Sequence, residues 1–217
     1  NKEKVIMSEK KGFANRMELL SVMLLALIII FTAWSAYQST LWGGIQTFRL
    51  ADVNAASRQA AELNVQQGQY SMVDAMMFFQ YVNAVNNNDQ KLSDFYFERF
   101  RPDFKPAVQA WLDTNPFDNP DAPPHPFVMK EYKRTFAEQA EQKIKIAELK
   151  MDEAQQANQN SDNYVLFTVI YASILFLGSI ATKFSSIRLN QTCFVIGAAS
   201  FTVITISLFV FMPIAME

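Results

Sequence analysis

Hydrophobic and polar positions fall into long blocks along this chain. Three stretches are apolar and contain no Lys, Arg, Asp or Glu: residues 19–37 (LLSVMLLALIIIFTAWSAY), 164–182 (YVLFTVIYASILFLGSIAT) and 192–214 (TCFVIGAASFTVITISLFVFMPI). The hydrocarbon core of a bilayer is crossed by about 20 helical residues. The pattern therefore predicts transmembrane helices over 19–37, 163–182 and 192–214. Three buried helices of a soluble core would rarely lack every ionisable side chain.

Between the first and second spans the pattern becomes helical and amphipathic. On the outgoing side, small or apolar residues recur at Ala56, Leu63, Tyr70, Val73, Met77 and Ala84, with Gln59 and Gln66 at intermediate seam positions. Alternating three- and four-residue steps mark one packed helix face. On the return, Phe136, Ala140, Ile144, Ala147, Met151 and Ala154 form a matching stripe in a helix expected from Met129 into the second span. Glu141 and Lys145 stand in the favourable i,i+4 order. The expected fold class is an all-α membrane protein in which two of the three spans extend into an antiparallel helical stalk.

A cap over residues 88–128 joins the two stalk helices. The run NNND, residues 86–89, ends the outgoing helix. A short helix is expected from Ser93, as N-cap, to Phe100, and another from Pro106 to Leu112, where proline suits the first turn. A Pro-rich loop follows. Phe95, Tyr96, Phe97, Phe100, Phe104, Trp111, Phe117 and Phe127 suffice for a small core beneath that loop. The competing reading makes Phe95, Tyr96, Phe97 and Trp111 a docking patch for a partner.

The junction AWSAYQSTLWGG, residues 33–44, raises the question of whether the helix stops at the membrane surface. Trp34, Tyr37 and Trp42 match the aromatic belt at the headgroup level. Gly43 and Gly44 each cost a helix about 1 kcal/mol relative to alanine, which so long a helical pattern absorbs. The helix is expected to continue. The glycines, placed with the aromatics at the membrane interface, allow either close helix packing or a hinge that contacts lipid or ligand.

Charge sets the expected orientation. Lys2, Lys4, Lys10, Lys11 and Arg16 precede the first span, and Lys183 and Arg188 lie between the second and third. Basic short flanks stay cytoplasmic. Residues 1–18 are thus a cytoplasmic leader and 183–191 a cytoplasmic loop. Residues 38–162 and the C-terminal 215–217 lie outside, which in a bacterial inner membrane means the periplasm. The first apolar run exceeds a signal-peptide core and lacks a good small-residue cleavage site, so it reads as an uncleaved anchor. A net charge of −2 over 217 residues gives no reason to expect nucleic acid as a partner. A single cysteine, Cys193, excludes an intrachain disulfide.

The search for chemistry is brief. His125, the one histidine, sits in PPHPF, where a solvent-facing loop position is expected. Asp113, Asn115, Asp118 and Asp121 supply hard oxygen atoms, but their spacing departs from the EF-hand and the glycine turn is missing. Asx-Pro turns account for them better. Arg99, Arg101 and Lys105 suit an anion, against which Glu98 and Asp103 offer local ion pairs. No catalytic residue, cofactor or metal is expected. The spans hold only hydroxyls as polar groups, among them Thr168, Ser173, Ser200 and Thr205, together with Gly178 and the GAAS run at 197–200. Small and hydroxyl residues suit helix–helix packing, whereas pumps carry ionisable groups in their spans.

The strings AWSAYQSTLWGG, FYFERFRPDFKPAVQAWL and NPFDNPDAPPHPF resemble a family of uncharacterised bacterial inner-membrane proteins with a WSxYQ…WGG first span and a FRPxFKPAxxAW cap. The resemblance covers nearly the whole chain. It implies the same three-span topology and an envelope location, and it implies no catalytic residues. The functional expectation is a non-catalytic membrane protein whose periplasmic helical domain mediates assembly. Its partners would be membrane lipids together with copies of itself or other subunits of a membrane complex. Gln59 and Gln66 near the seam leave a stalk whose apolar burial, about 1.5–3 kcal/mol per large side chain, is thin against an ordering cost of about 1–2 kcal/mol per residue. The alternatives are a ligand-sensing module and an oligomeric channel.

Overall fold

The computed structural model describes the backbone of residues 2–181 and 187–216, with side chains at 16, 18–180 and 189–216. Among the described residues all regular structure is helical, and no strand occurs. Helix α1 runs Lys2–Asn86, α2 Gln90–Glu98, α3 Lys105–Leu112, α4 Thr135–Ala181 and α5 Ile187–Phe211, with a 3-10 turn at Pro126–Val128. Three of the helices are long and apolar enough to cross a membrane. In their most apolar windows only 17%, 17% and 6% of residues are buried. Side chains such as Ile30, Phe176, Val203 and Phe211 point outward, the arrangement of lipid-facing spans rather than of a soluble core. The chain is an all-α membrane protein.

The helix does not stop at the junction: α1 passes through Gly43 and Gly44 without interruption. It ends at Asn86, and Asn88 takes a left-handed φ of 55°, a conformation asparagine tolerates better than most residues. The α2 cap differs from the expected one. Asp89 accepts from the Leu92 N–H at 3.0 Å, while Ser93 is buried one turn inside and donates to the Gln90 carbonyl. Helix α3 begins as expected, with Pro106 in its first turn. Helix α4 starts at Thr135, later than Met129, after turns that place Tyr132. Helix α5 ends at Phe211, short of the expected 214, because Pro213 has no N–H and disfavours helical geometry at Met212. The connection expected at 183–191 lies largely outside the described residues, as do the side chains of Lys183, Arg188 and Lys2, Lys4, Lys10 and Lys11.

Two compact units divide the chain: Asn1–Leu50 with Met151–Glu217, and Ala51–Lys150. In the first, α1 and α4 run antiparallel. Ser39 lies 3.1 Å from Ser161 between hydroxyls, and the rings of Phe31 and Tyr171 are 6.0 Å apart. A Cβ added to Gly178 would meet Leu25 at 2.9 Å. Helix α5 adds Leu208 to a core of Ile28, Tyr164, Tyr171 and Ile174. The Tyr171 and Thr205 hydroxyls are 3.0 Å apart, which satisfies polar groups away from water. Cys193 lines a cavity of about 20 Å³ with Leu25, Ile28 and Gly178, room for roughly one water molecule.

The second unit is the expected helical hairpin with its cap. Its seam is more regular than the expected stripe. Val53, Ala60, Gln67, Asp74 and Tyr81, seven residues apart, are all buried on α1, and Ala140 and Ala147 answer from α4. Tyr70 stacks on Phe136 with ring centroids 5.2 Å apart. Several expected seam residues face water instead: Gln59, Val73 and Ile144 are exposed, and Gln67 is buried where Gln66 had been assigned. Ala56, Ala84, Ala140 and Ala147 of the expected stripes are buried as expected. Above the seam, Tyr81, Phe100, Phe104 and Val108 form the cap core, with Met77, Phe78 and Phe127 packed against it.

Candidate functional site

Asp74 is the most conspicuous group in the second unit. It is a carboxylate with 1% exposure on a helix seam, and burying an unpaired charge is prohibitive. Arg101, from the turn between α2 and α3, meets both its oxygens: Nε donates to Oδ1 at 2.9 Å and Nη2 to Oδ2 at 2.7 Å. This two-pronged geometry is the strongest form of the pair. The Tyr132 hydroxyl donates to Oδ2 at 3.3 Å and lies 3.0 Å from Ser71 Oγ, which accepts from Gln67 Nε2 at 3.1 Å. Gln67, Ser71 and Asp74 are four and three residues apart, so one face of α1 presents all three. The Arg101 guanidinium also lies 4.6 Å over the Tyr70 ring.

This cluster joins three parts of the unit: α1, the α2–α3 turn, and the turn before α4. Its electrostatics suit a lock. The Asp74 hydrogen bond holds Arg101 above its already high ordinary value. Burial, outweighing the hydrogen bond with Ser71, pushes the Tyr132 phenol above its ordinary 10.0. With its oxygens bonded to Arg101 and Tyr132, the carboxylate ties the α2–α3 turn and the turn before α4 to α1.

The three cations considered for an anion are dispersed by the fold. Arg99 lies 3.6 Å over the Phe95 ring and donates to the Phe95 carbonyl. Lys105 pairs with Glu98 at 2.9 Å, and Arg101 reaches Asp103 only at 3.7 Å. Asp74 went unnoticed in the sequence. The available signal was its position as the sole Lys, Arg, Asp or Glu between Leu63 and Asn88. Among the described residues no group of three or more His, Cys, Asp or Glu is placed to hold a metal ion. Asp113 accepts from Gln109 and Asn119 bonds within its own loop, as turn residues do. His125 is exposed, its ring 5.7 Å from that of Phe127.

The docking candidates separate. Trp111 is buried, its Nε1 donating to the Pro123 carbonyl at 2.7 Å, and Tyr96 and Phe97 pack against the cap core. Phe95 stays 47% exposed. A cleft of about 470 Å³ opens beside α2, bordered by Tyr81, Asp89, Asp94 and Gln109. Burial first, then the Asp94 charge, raises the Tyr81 phenol.

In the first unit the WSAYQSTLWGG segment turns out to be a clasp. The Gln38 side chain is buried; its Oε1 accepts from Ala215 N–H at 2.8 Å and its Nε2 donates to the Ala215 carbonyl at 3.4 Å. Trp42 Nε1 and the Tyr164 hydroxyl both donate to the Pro213 carbonyl, at 3.1 and 3.2 Å. The non-helical segment after α5 thereby recovers partners for backbone groups that a helix would have satisfied. Trp34 contacts Tyr37, which is itself 48% exposed. A Cβ added to Gly43 would meet Ser161 Oγ at an ordinary 3.8 Å, and among the described residues nothing beyond its own turn of helix lies within 4 Å of one at Gly44. Packing among the described residues therefore does not require Gly44. Gly44→Ala is expected to stabilise α1 locally by up to about 1 kcal/mol, read as slower amide exchange over residues 40–48.

No family model, no curated protein and no solved structure matches the chain.

Proposed function

We propose that the chain is a non-catalytic bacterial inner-membrane protein whose extramembrane helical unit mediates assembly, as a homo-oligomer or an accessory subunit of a membrane complex. The observation that carries this reading is a contrast within that unit. Its interior holds the Asp74–Arg101–Tyr132 lock and the aromatic cap core. Its outside leaves Val65, Met72, Met76, Phe79 and Phe95 exposed. Large apolar patches outside the spans mark surfaces that other molecules cover.

The basic flanks support an orientation with the N-terminus cytoplasmic and the helical unit in the periplasm. Purification in mild detergent, followed by mass spectrometry of everything that co-elutes, tests the function. The reading requires either a multimer of the chain or a stoichiometric companion. A monodisperse monomer overturns it. A cysteine at Asn88 labelled by an impermeant reagent in intact spheroplasts supports the orientation, and full protection there reverses it.

A further inference from the structure

Helix α1 has two very different sides within the second unit. At about 100° per residue, Ala56, Ala60, Gln67, Asp74 and Tyr81 occupy the seam, and all are buried. Diametrically opposite, within an arc of about 60°, stand Val65, Met72, Met76 and Phe79, exposed by 62%, 68%, 65% and 64%. From Leu63 to Asn88 this helix and its end carry no exposed Lys, Arg, Asp or Glu. Helix α4 handles its outer side differently, with Glu138, Glu141, Lys145 and Glu148 all exposed. N-terminal to this stretch α1 carries exposed Asp52, Arg58 and Glu62, with Arg58 one heptad before Val65, so the uncharged stripe begins at Leu63.

Gly68 lies at the edge of the uncharged stripe. Among the described residues, no atom beyond its own turn of helix comes within 4 Å of a Cβ built there. A glycine inside a helix costs about 1 kcal/mol relative to alanine, and none of the described residues packs into the space it leaves. A glycine beside an exposed apolar stripe lets a second backbone approach closely.

We infer that this stripe of α1, from Val65 to Phe79, is the contact surface for a second copy of the chain, packed parallel to the first about a two-fold axis. The inference rests on the assembly reading above and names the partner. Copies inserted the same way into one membrane present α1 in the same direction, so same-numbered residues meet. That geometry demands a face compatible with itself. A surface without charge meets its own copy without repulsion, whereas the Glu138–Glu141–Glu148 side would set like charges against each other. The seven-residue spacing of Val65, Met72 and Phe79 is the repeat of a parallel helix pair.

The area is consistent with a membrane-held contact. Four such side chains expose roughly 400 Å² per copy, about half of the ~800 Å² per partner typical of a stable interface in solution. Confinement of both copies by their spans raises the effective concentration and lowers the requirement.

Single cysteines at Val65, Met72 and Phe79, in a Cys193→Ala background, test the surface by oxidative crosslinking in native membranes. All three sites are exposed, so the substitutions leave the fold intact. The expected result is a crosslinked dimer from each, at least tenfold more than from a cysteine at Glu148. Met72→Glu is expected to lower the dimer fraction at least tenfold in native sizing of membrane-extracted protein. If none of the three sites crosslinks while the chain still sizes as an assembly, this surface is wrong and the assembly reading stands. If the chain also sizes as a monomer, both fall. Equal crosslinking from the Glu148 site reports random collision and overturns the surface.

Discussion

Asp74→Ala is expected to release the cap from α1. The substitution leaves the Arg101 guanidinium, 21% exposed, without its carboxylate, and takes an acceptor from Tyr132. Removing one member of a buried pair costs about 3–5 kcal/mol. Partial exposure of Arg101 lets water recover some of that, so an effect of about 3 kcal/mol is expected. Native-state hydrogen exchange reads local opening directly. Amides of α3 in the variant should exchange about 100-fold faster, while those of the membrane-spanning part of α4 keep their protection. The double variant Asp74→Ala with Arg101→Met, which leaves no unpaired charge, should be less destabilised than the two single effects combined. Additive losses would show that the pair contributes nothing beyond its separate side chains.

The second large effect is expected at Gln38. Gln38→Leu keeps the volume and removes both hydrogen bonds to Ala215. An unsatisfied buried backbone group costs about 1–3 kcal/mol, which corresponds to roughly a tenfold or greater rise in the detached population. The Trp42 and Tyr164 bonds to Pro213 remain and limit the loss. A cysteine at the buried Ala215 position, in a Cys193→Ala background, gives the readout. It should react with maleimide slowly beside Gln38 and about tenfold faster beside leucine. Equal rates would mean that the clasp does not hold the segment.

The coarse architecture was legible because it follows from patterns that a single sequence carries. Uncharged runs long enough for a bilayer marked the spans, and seam periodicity marked the hairpin. The passage of α1 through Gly43 and Gly44 followed from the helical pattern beyond them. What escaped depends on pairing between distant residues. Asp74 gives no local signal of its pairing, since its partners stand 27 and 58 positions further along the chain. Gln38 likewise pairs with a residue 177 positions away, which no local pattern announces. The expected stripes held at Ala56, Ala84, Ala140, Ala147 and Ala154, all buried, and failed at Gln59, Val73 and Ile144, which are exposed. Trp111 was weighed as a docking residue, yet burial under the Pro-rich loop and its bond to Pro123 place it in the cap core.

The central claim is that this membrane-anchored helical unit exists to associate with other chains. Native mass spectrometry of the protein extracted from membranes in lipid nanodiscs, without detergent, tests it most directly. One chain weighs 24.7 kDa. The account predicts a dominant species of at least twice that mass, or one chain with a constant companion. A dominant species of a single chain with lipid alone would contradict it.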